Sequence, residues 1–320
     1  MTLLLAALTV VLAIEAGLVF FTLRTVHRVE AALPPQGRFV KVPGARLHVV
    51  ERGEGPTLLL VHGLAGQLRH FTYALVDLLA SRYRVVAVDR PGSGYSVRAP
   101  GSSATLGAQA DMLAALIDAL NLGRPAVVGH SLGGAVALAL AQRHPERVAA
   151  LALIAPFTHP VKEVHPAFAA LKIRRPWVRA WAAWTLAVPL GLARREAALR
   201  LIFGPEAAPG DFATRGGGML TLRPSHFISA CADLAAAPDD LPEMIQSYGA
   251  MRLPVKILYG RGDRILDPRE QGEALAGKVP GAELILVDGG HMLPITMPER
   301  CAQFIHETAV LTERSPSQGR

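Results

Sequence analysis

The chain has 320 residues, 51% of them hydrophobic, only two cysteines and a formal charge of +7. That length allows one large domain plus additions, and Cys231 and Cys301 make neither a disulfide framework nor a thiolate metal site. No Cys/His cluster has ligand spacing and no phosphate-cradling loop carries a lysine, so no metal and no other cofactor is expected. The positive charge comes without any nucleic-acid module; it argues against nucleic acid as a partner and for an anionic membrane surface.

The first predicted element is a transmembrane anchor over residues 1–23. Leu3–Leu23 is apolar except for Glu15. At ~1.5 Å per residue the run spans about 31 Å, near the thickness of a hydrocarbon core. Glu15 costs about 3 kcal/mol at mid-helix, whereas the Leu, Val, Ile and Phe residues contribute roughly −4 to −8 kcal/mol, so insertion wins. A cleaved signal peptide is the rival, but no Lys or Arg precedes the run. Arg24 and Arg28 follow it, and the positive-inside rule then puts the rest of the chain in the cytoplasm. Residues 24–37, with Pro34-Pro35, read as a linker.

From residue 38 the pattern changes. Arg38–Val42 and Arg46–Glu51 read as antiparallel opening strands. Strands and helices then alternate: strand 57–62, helix about 67–80, strand 84–89, helix about 105–120, strand 125–130, helix 132–143 and strand 148–155. After an interruption come strand 255–260, helix about 268–277, strand 283–288 and helix 298–309. The alternation predicts a mostly parallel sheet of eight strands with helices on both faces, and ligands outside the strands' carboxyl ends. A first core part over 38–156 and a second over 246–310 follow, with a disordered tail over 311–320.

Four loops at strand ends carry chemistry. Leu58–Val61 runs into His62-Gly63-Leu64-Ala65-Gly66. The Leu64 amide is an oxyanion-hole donor there, and His62 ties the loop down. Val127-Val128-Gly129-His130-Ser131-Leu132-Gly133-Gly134 joins a β-branched strand to an Ala/Leu helix through Gly-x-Ser-x-Gly. This is the form of a nucleophile elbow. Gly129 and Gly133 relieve clashes around a strained Ser131, which sits at a helix N-terminus with His130 beside it. The Leu132 amide is the second oxyanion donor. Val255–Tyr259 ends in Gly260-Arg261-Gly262-Asp263, where Asp263 is the orienting acid and Asp267 the runner-up. Gly289-Gly290-His291 follows the last strand and carries the base. The order Ser131, Asp263, His291 is that of an α/β-hydrolase triad.

The interruption, 157–245, lacks strand alternation and is rich in Ala, Arg, Pro and Trp. Trp177, Trp181 and Trp184 share one helix face. They pack this segment onto the core, wall an acyl tunnel, or form an interfacial belt beside Arg174, Arg175 and Arg179. Gly216-Gly217-Gly218 reads as a hinge or loop.

With Asp89-Arg90-Pro91-Gly92-Ser93-Gly94 added, these motifs resemble those of the α/β-hydrolase superfamily, of the serine esterase and lipase kind, over roughly 38–310. The resemblance implies that 157–245 is a helical cap over the site and that the Asp89 turn shapes a loop. Serine at the elbow argues against dehalogenases and epoxide hydrolases of that fold, which carry Asp there. The expected function is a membrane-anchored serine hydrolase of carboxylic esters, apolar or lipid-like. Its partners are a small ester or lipid and a membrane. The same triad also serves C–C bond hydrolysis, with Arg69 or cap arginines gripping a carboxylate, or perhydrolysis. A non-catalytic binding protein is the alternative of another class.

Overall fold

A computed structural model describes residues 1–313. It begins with one long helix, α1 (Thr2–Ala32). Next come β1 (Arg38–Val42), β2 (Ala45–Arg52), β3 (Thr57–Val61), α2 (Arg69–Thr72), α3 (Leu75–Leu79), β4 (Arg84–Val88), β5 (Val97–Arg98), α4 (Leu106–Ala119), β6 (Ala126–His130), α5 (Leu132–Arg143) and β7 (Ala150–Ile154). The cap holds α6 (Pro176–Thr185), α7 (Ala187–Ala193), α8 (Arg195–Phe203) and α9 (Pro224–Ser247). The second core part holds β8 (Val255–Gly260), α10 (Ala274–Ala276), β9 (Glu283–Val287), α11 (Leu293–Thr296) and α12 (Pro298–Glu313).

The strands form one sheet in the order β1-β2-β4-β3-β6-β7-β8-β9. β2 runs antiparallel to β1 and β4, and the rest pair in parallel. A ninth strand, the two-residue β5, adds to the expected eight by pairing with β2. Alternation splits the core by sheet face. Leu59, Val61, Val86 and Val88 pack on one side with α4 and α5, while Leu58, Leu60, Val85 and Ala87 pack on the other with Phe71 and Phe304. α5 lies against β6 and is buried on every side from Leu132 to Ala141. Its small Ala and Gly residues allow that close approach.

Three expectations need correction. Residues 24–32 are not a linker: α1 continues through them to Ala32. No Gly or Pro interrupts 18–33, and the first breakers are Pro34-Pro35. The helix predicted over 67–80 is broken between α2 and α3, where Ala74 leaves helical geometry at φ −153°; no local Pro or Gly explains it. The tail expected from 311 is helical where it begins, because α12 runs to Glu313. Residues 314–320 lie outside the described residues.

The cap contains no strand between β7 and β8, as its sequence texture predicts. Trp177, Trp181 and Trp184 do share a face of α6, but they do not pack the cap onto the core. The inward side of α6 carries Arg179, Ala182, Ala183 and Thr185 and α6 packs on α9, while the three tryptophans are 68%, 45% and 39% exposed. Gly217 is no open hinge. It has φ +73°, and a Cβ there would lie 2.2 Å from Gln67 Nε2.

Candidate active site

The carboxyl ends of β3, β6, β8 and β9 gather the predicted residues. Ser131 links β6 to α5 with φ 53° and ψ −123°, a backbone that L-residues adopt only under strain. The tightness is measurable at Gly133, where a Cβ would stand 2.1 Å from the Val61 carbonyl oxygen. Leu132 is the first residue of α5, so its N–H has no intrahelical acceptor.

His291 and Asp263 come together. His291 Nδ1 lies 2.7 Å from Asp263 Oδ2, and both side chains are withdrawn from solvent. The other oxygen, Oδ1, accepts the amides of Ile265 and Leu266 at 2.8 and 3.0 Å. The carboxylate is thus held on both sides, and the imidazole presents Nε2 away from it. Asp267 does something else: its Oδ1 accepts the Arg269 amide at 2.7 Å and caps the next turn. Ser131 Oγ has no hydrogen-bond partner among the described residues.

His130 supports the loop that carries His291. Its Nε2–H donates to the His291 carbonyl oxygen at 3.0 Å, and the two rings lie 5.1 Å apart. Burial, with His291 second, pushes the His130 pKa well down, so the ring stays neutral. His62 supports the loop that carries Leu64. Its Nδ1–H donates to the Gly63 carbonyl at 2.9 Å and its Nε2 accepts the Arg90 amide at 2.9 Å. Burial and the Arg90 charge keep it neutral as well. Gly63 lies against the elbow; a Cβ there would be 2.8 Å from Ser131 Cβ.

Ser131, Leu64 and Leu132 line a cavity of about 190 Å³. Cap residues Phe168, Leu234 and Ala237 close it, with Ile265 and Leu266 from the loop after Asp263. Its one charged lining residue is Glu163, and no Arg or Lys lines it among the described residues. Arg69 donates to the Pro34 carbonyl at 2.9 Å instead. A larger open hollow, about 670 Å³, lies between Arg124 and Pro254 at the amino ends of β6–β8. We set it aside because parallel sheets present ligand sites at the other end. No group of three or more His, Cys, Asp or Glu could hold a metal ion among the described residues.

Several site residues are not evident from sequence. Arg90 is fully buried and donates to the carbonyls of His62 and Gly63 at 2.8 and 3.0 Å, fixing the loop that bears Leu64. Its motif was visible, but its partner Asp233 is 143 positions away. Glu206, from the cap, accepts the Gly290 amide at 2.9 Å beside His291. His165 lines the cavity, and burial and His291 lower its pKa.

Comparison with known proteins identifies the family of the fold. Residues 56–298 match the family described as the alpha/beta hydrolase fold. The chain is 29% identical over 279 residues to the 2-hydroxymuconate semialdehyde hydrolase of Pseudomonas putida, covering 85% of this chain and 93% of that one. It is also 40% identical over 121 residues to the dihydrolipoyllysine-residue acetyltransferase component of the acetoin cleaving system of Cupriavidus necator, but spans only 32% of that protein. Among solved structures, a thermophilic esterase from Thermogutta terrifontis superposes with TM-score 0.65 at 27% identity, covering 85% of this chain and 97% of that one. A membrane phospholipase A superposes with TM-score 0.60 at 25% identity over 98% of this chain and 100% of that one. The chain belongs to the α/β-hydrolase family.

Proposed function

We propose that this protein is a membrane-anchored serine hydrolase of neutral, apolar carboxylic esters. The observation that carries the reading is the cavity itself: a mainly apolar space, without an Arg or Lys side chain among its described lining, opens on Ser131. A substrate carboxylate would find no partner there. An acyl chain would be desolvated at about 25 cal/mol per Å² of apolar surface.

In this reading Ser131 Oγ attacks the acyl carbon and its proton passes to His291 Nε2. Asp263 holds Nδ1–H and stabilises the imidazolium that forms. The carbonyl electron pair becomes the oxyanion, held by the Leu64 and Leu132 amides. The tetrahedral intermediate collapses, the C–O bond breaks, and His291 returns the proton to the leaving alcohol. Water repeats the cycle on the acyl-enzyme and releases the acid. The support is threefold: the elbow backbone at Ser131, the Asp263–His291 contact and the shared position of Leu64 and Leu132 at the cavity.

The anchor is α1, a helix long and apolar enough to cross a membrane. The test of substrate class is hydrolysis of p-nitrophenyl esters from short to long acyl chains by the full chain in detergent, beside Ser131→Ala. Ser131-dependent turnover that rises into the medium chains supports the apolar ester. Turnover confined to acetate esters removes the acyl-chain part of the reading.

A further inference from the structure

Residues 2–14 of α1 are exposed on all sides, but from Glu15 onward one face of the helix is covered. Glu15, Leu18, Val19, Thr22, Val26 and Val29 recur at helical spacing along that face. The covering elements belong to the cap: α6, α7 and the 3₁₀ turn Gly218–Leu222. Val29 and Leu33 pack on Leu220, and Glu30 pairs with Arg223 at 2.8 Å. Higher up, Trp181 Nε1–H donates to Glu15 Oε1 at 3.1 Å. The helix is therefore strapped to the cap well inside its own apolar run.

This geometry limits how far the cap can stand from a membrane. Residues 2–14 extend about 20 Å at ~1.5 Å per residue. A hydrocarbon core is about 30 Å thick, so the free part of α1 falls about 10 Å short of crossing it. Tilt only widens the gap. For α1 to span, the edge of the cap beside Glu15 must enter the bilayer by about that amount. Interfacial helices bury their apolar face to a depth of about 5–10 Å.

The cap is built for such immersion. Apart from α1, the exposed large hydrophobics of the described residues concentrate between α6 and α8: the three tryptophans, Leu186, Leu190, Leu192 and Leu201. Tryptophan is the residue of membrane interfaces. Arg174, Arg175, Arg194 and Arg195 flank these helices and are exposed, which suits anionic headgroups at about 1 kcal/mol each. The Trp181 N–H also gives Glu15 a hydrogen-bond partner at a depth where lipid offers none.

We propose that the α6–α7 face of the cap is a bilayer-docking surface, lowered into the acyl boundary beside α1. The 3₁₀ segment Pro166–Leu171, which puts Phe168 in the cavity lining, leads directly into α6. The docked cap therefore brings the cavity wall and the lipid phase together. This proposal rests on α1 crossing a bilayer, and not on the hydrolase chemistry.

The chain's three tryptophans all lie on α6, so its intrinsic tryptophan fluorescence reports this face alone. The experiment is fluorescence of the full chain in vesicles of phosphatidylcholine and phosphatidylglycerol, with lipids brominated on the upper acyl carbons and with aqueous acrylamide as the opposing quencher. Resistance to alkaline carbonate is measured on the same vesicles. The expected result is at least two-fold quenching by the brominated lipid and weak quenching by acrylamide, in carbonate-resistant protein. Strong acrylamide quenching of carbonate-resistant protein overturns the docking surface and leaves the anchor standing. Protection from both quenchers that depends on protein density also overturns it, in favour of a second copy covering the face. Release by carbonate removes the anchor premise itself.

Discussion

Arg90 Nη1 donates to Asp233 Oδ2 at 2.8 Å, with both side chains fully buried, and so joins the His62–Leu64 loop to cap helix α9. Arg98 meets the other Asp233 oxygen at 2.6 Å, and Gln109 Oε1 accepts from Arg90 at 2.7 Å. Removing the carboxylate leaves two cations with their charge uncompensated. Asp233→Ala should cost about 3–5 kcal/mol, the range for breaking one partner of a buried pair. Asp233→Asn, which keeps an acceptor, should cost less. Denaturant unfolding of both variants checks the order; equal stability to the parent would contradict the role of the pair.

The assignment of Asp263 over Asp267 makes a sharp kinetic prediction. Asp263→Asn should lower kcat by on the order of 10⁴-fold, because the amide cannot hold the imidazole in the useful tautomer. Asp267→Asn removes only a cap on the Arg269 amide and should leave kcat within a few-fold. Steady-state kinetics on one ester, with both variants, decides between them.

Gly133 makes a steric prediction. Its missing side chain lets α5 start 2.1 Å, in Cβ terms, from the Val61 carbonyl oxygen and 2.5 Å from that of His62. Both neighbours are backbone and cannot step aside cheaply. Gly133→Ala should separate the elbow from the Leu64 loop and abolish measurable turnover, whereas Ala135→Gly, at a buried helix position, should cost about 2 kcal/mol of stability and leave turnover measurable. Activity and melting temperature measured together distinguish site damage from unfolding.

Acidification should destabilise the fold before it titrates most carboxylates. Burial lowers the His70 pKa from 6.5 to about 4, and burial also lowers those of His62, His130 and His226. Each stays neutral in the native state but accepts a proton once unfolded. Between pH 6.5 and about 4 the unfolded chain therefore binds more protons at His70, and stability falls as pH falls. Above pH 6.5 this stabilisation is fully present. Thermal melts across that window should show the decline, and His70→Phe should flatten part of it. A flat profile in the parent would contradict the neutral buried histidines.

The sheet and the strand-end loops were legible because their signals are local. A β-branched strand, a glycine turn and a helix start identify Ser131, and the order of motifs brings in Asp263 and His291. The extent of α1 was missed because apolarity ends at Leu23 while helicity does not. Nothing between Arg24 and Leu33 breaks a helix, and what holds that stretch, Val29 on Leu220 and Glu30 on Arg223, is tertiary. Arg90, Glu206 and His165 were hidden for the same reason. A buried arginine and an exposed one look alike until Asp233 arrives from the cap. The tryptophan stripe was seen, but a helical stripe says which residues share a face and not what that face meets.

The central claim is that Ser131 is an activated nucleophile. The most direct measurement is mass spectrometry of the full chain after treatment with an alkyl fluorophosphonate, beside Ser131→Ala and His291→Ala. A single adduct is expected on the peptide carrying Ser131, absent from Ser131→Ala and strongly slowed in His291→Ala. An unlabelled Ser131 in folded parent protein, or labelling at the same rate without His291, would contradict it.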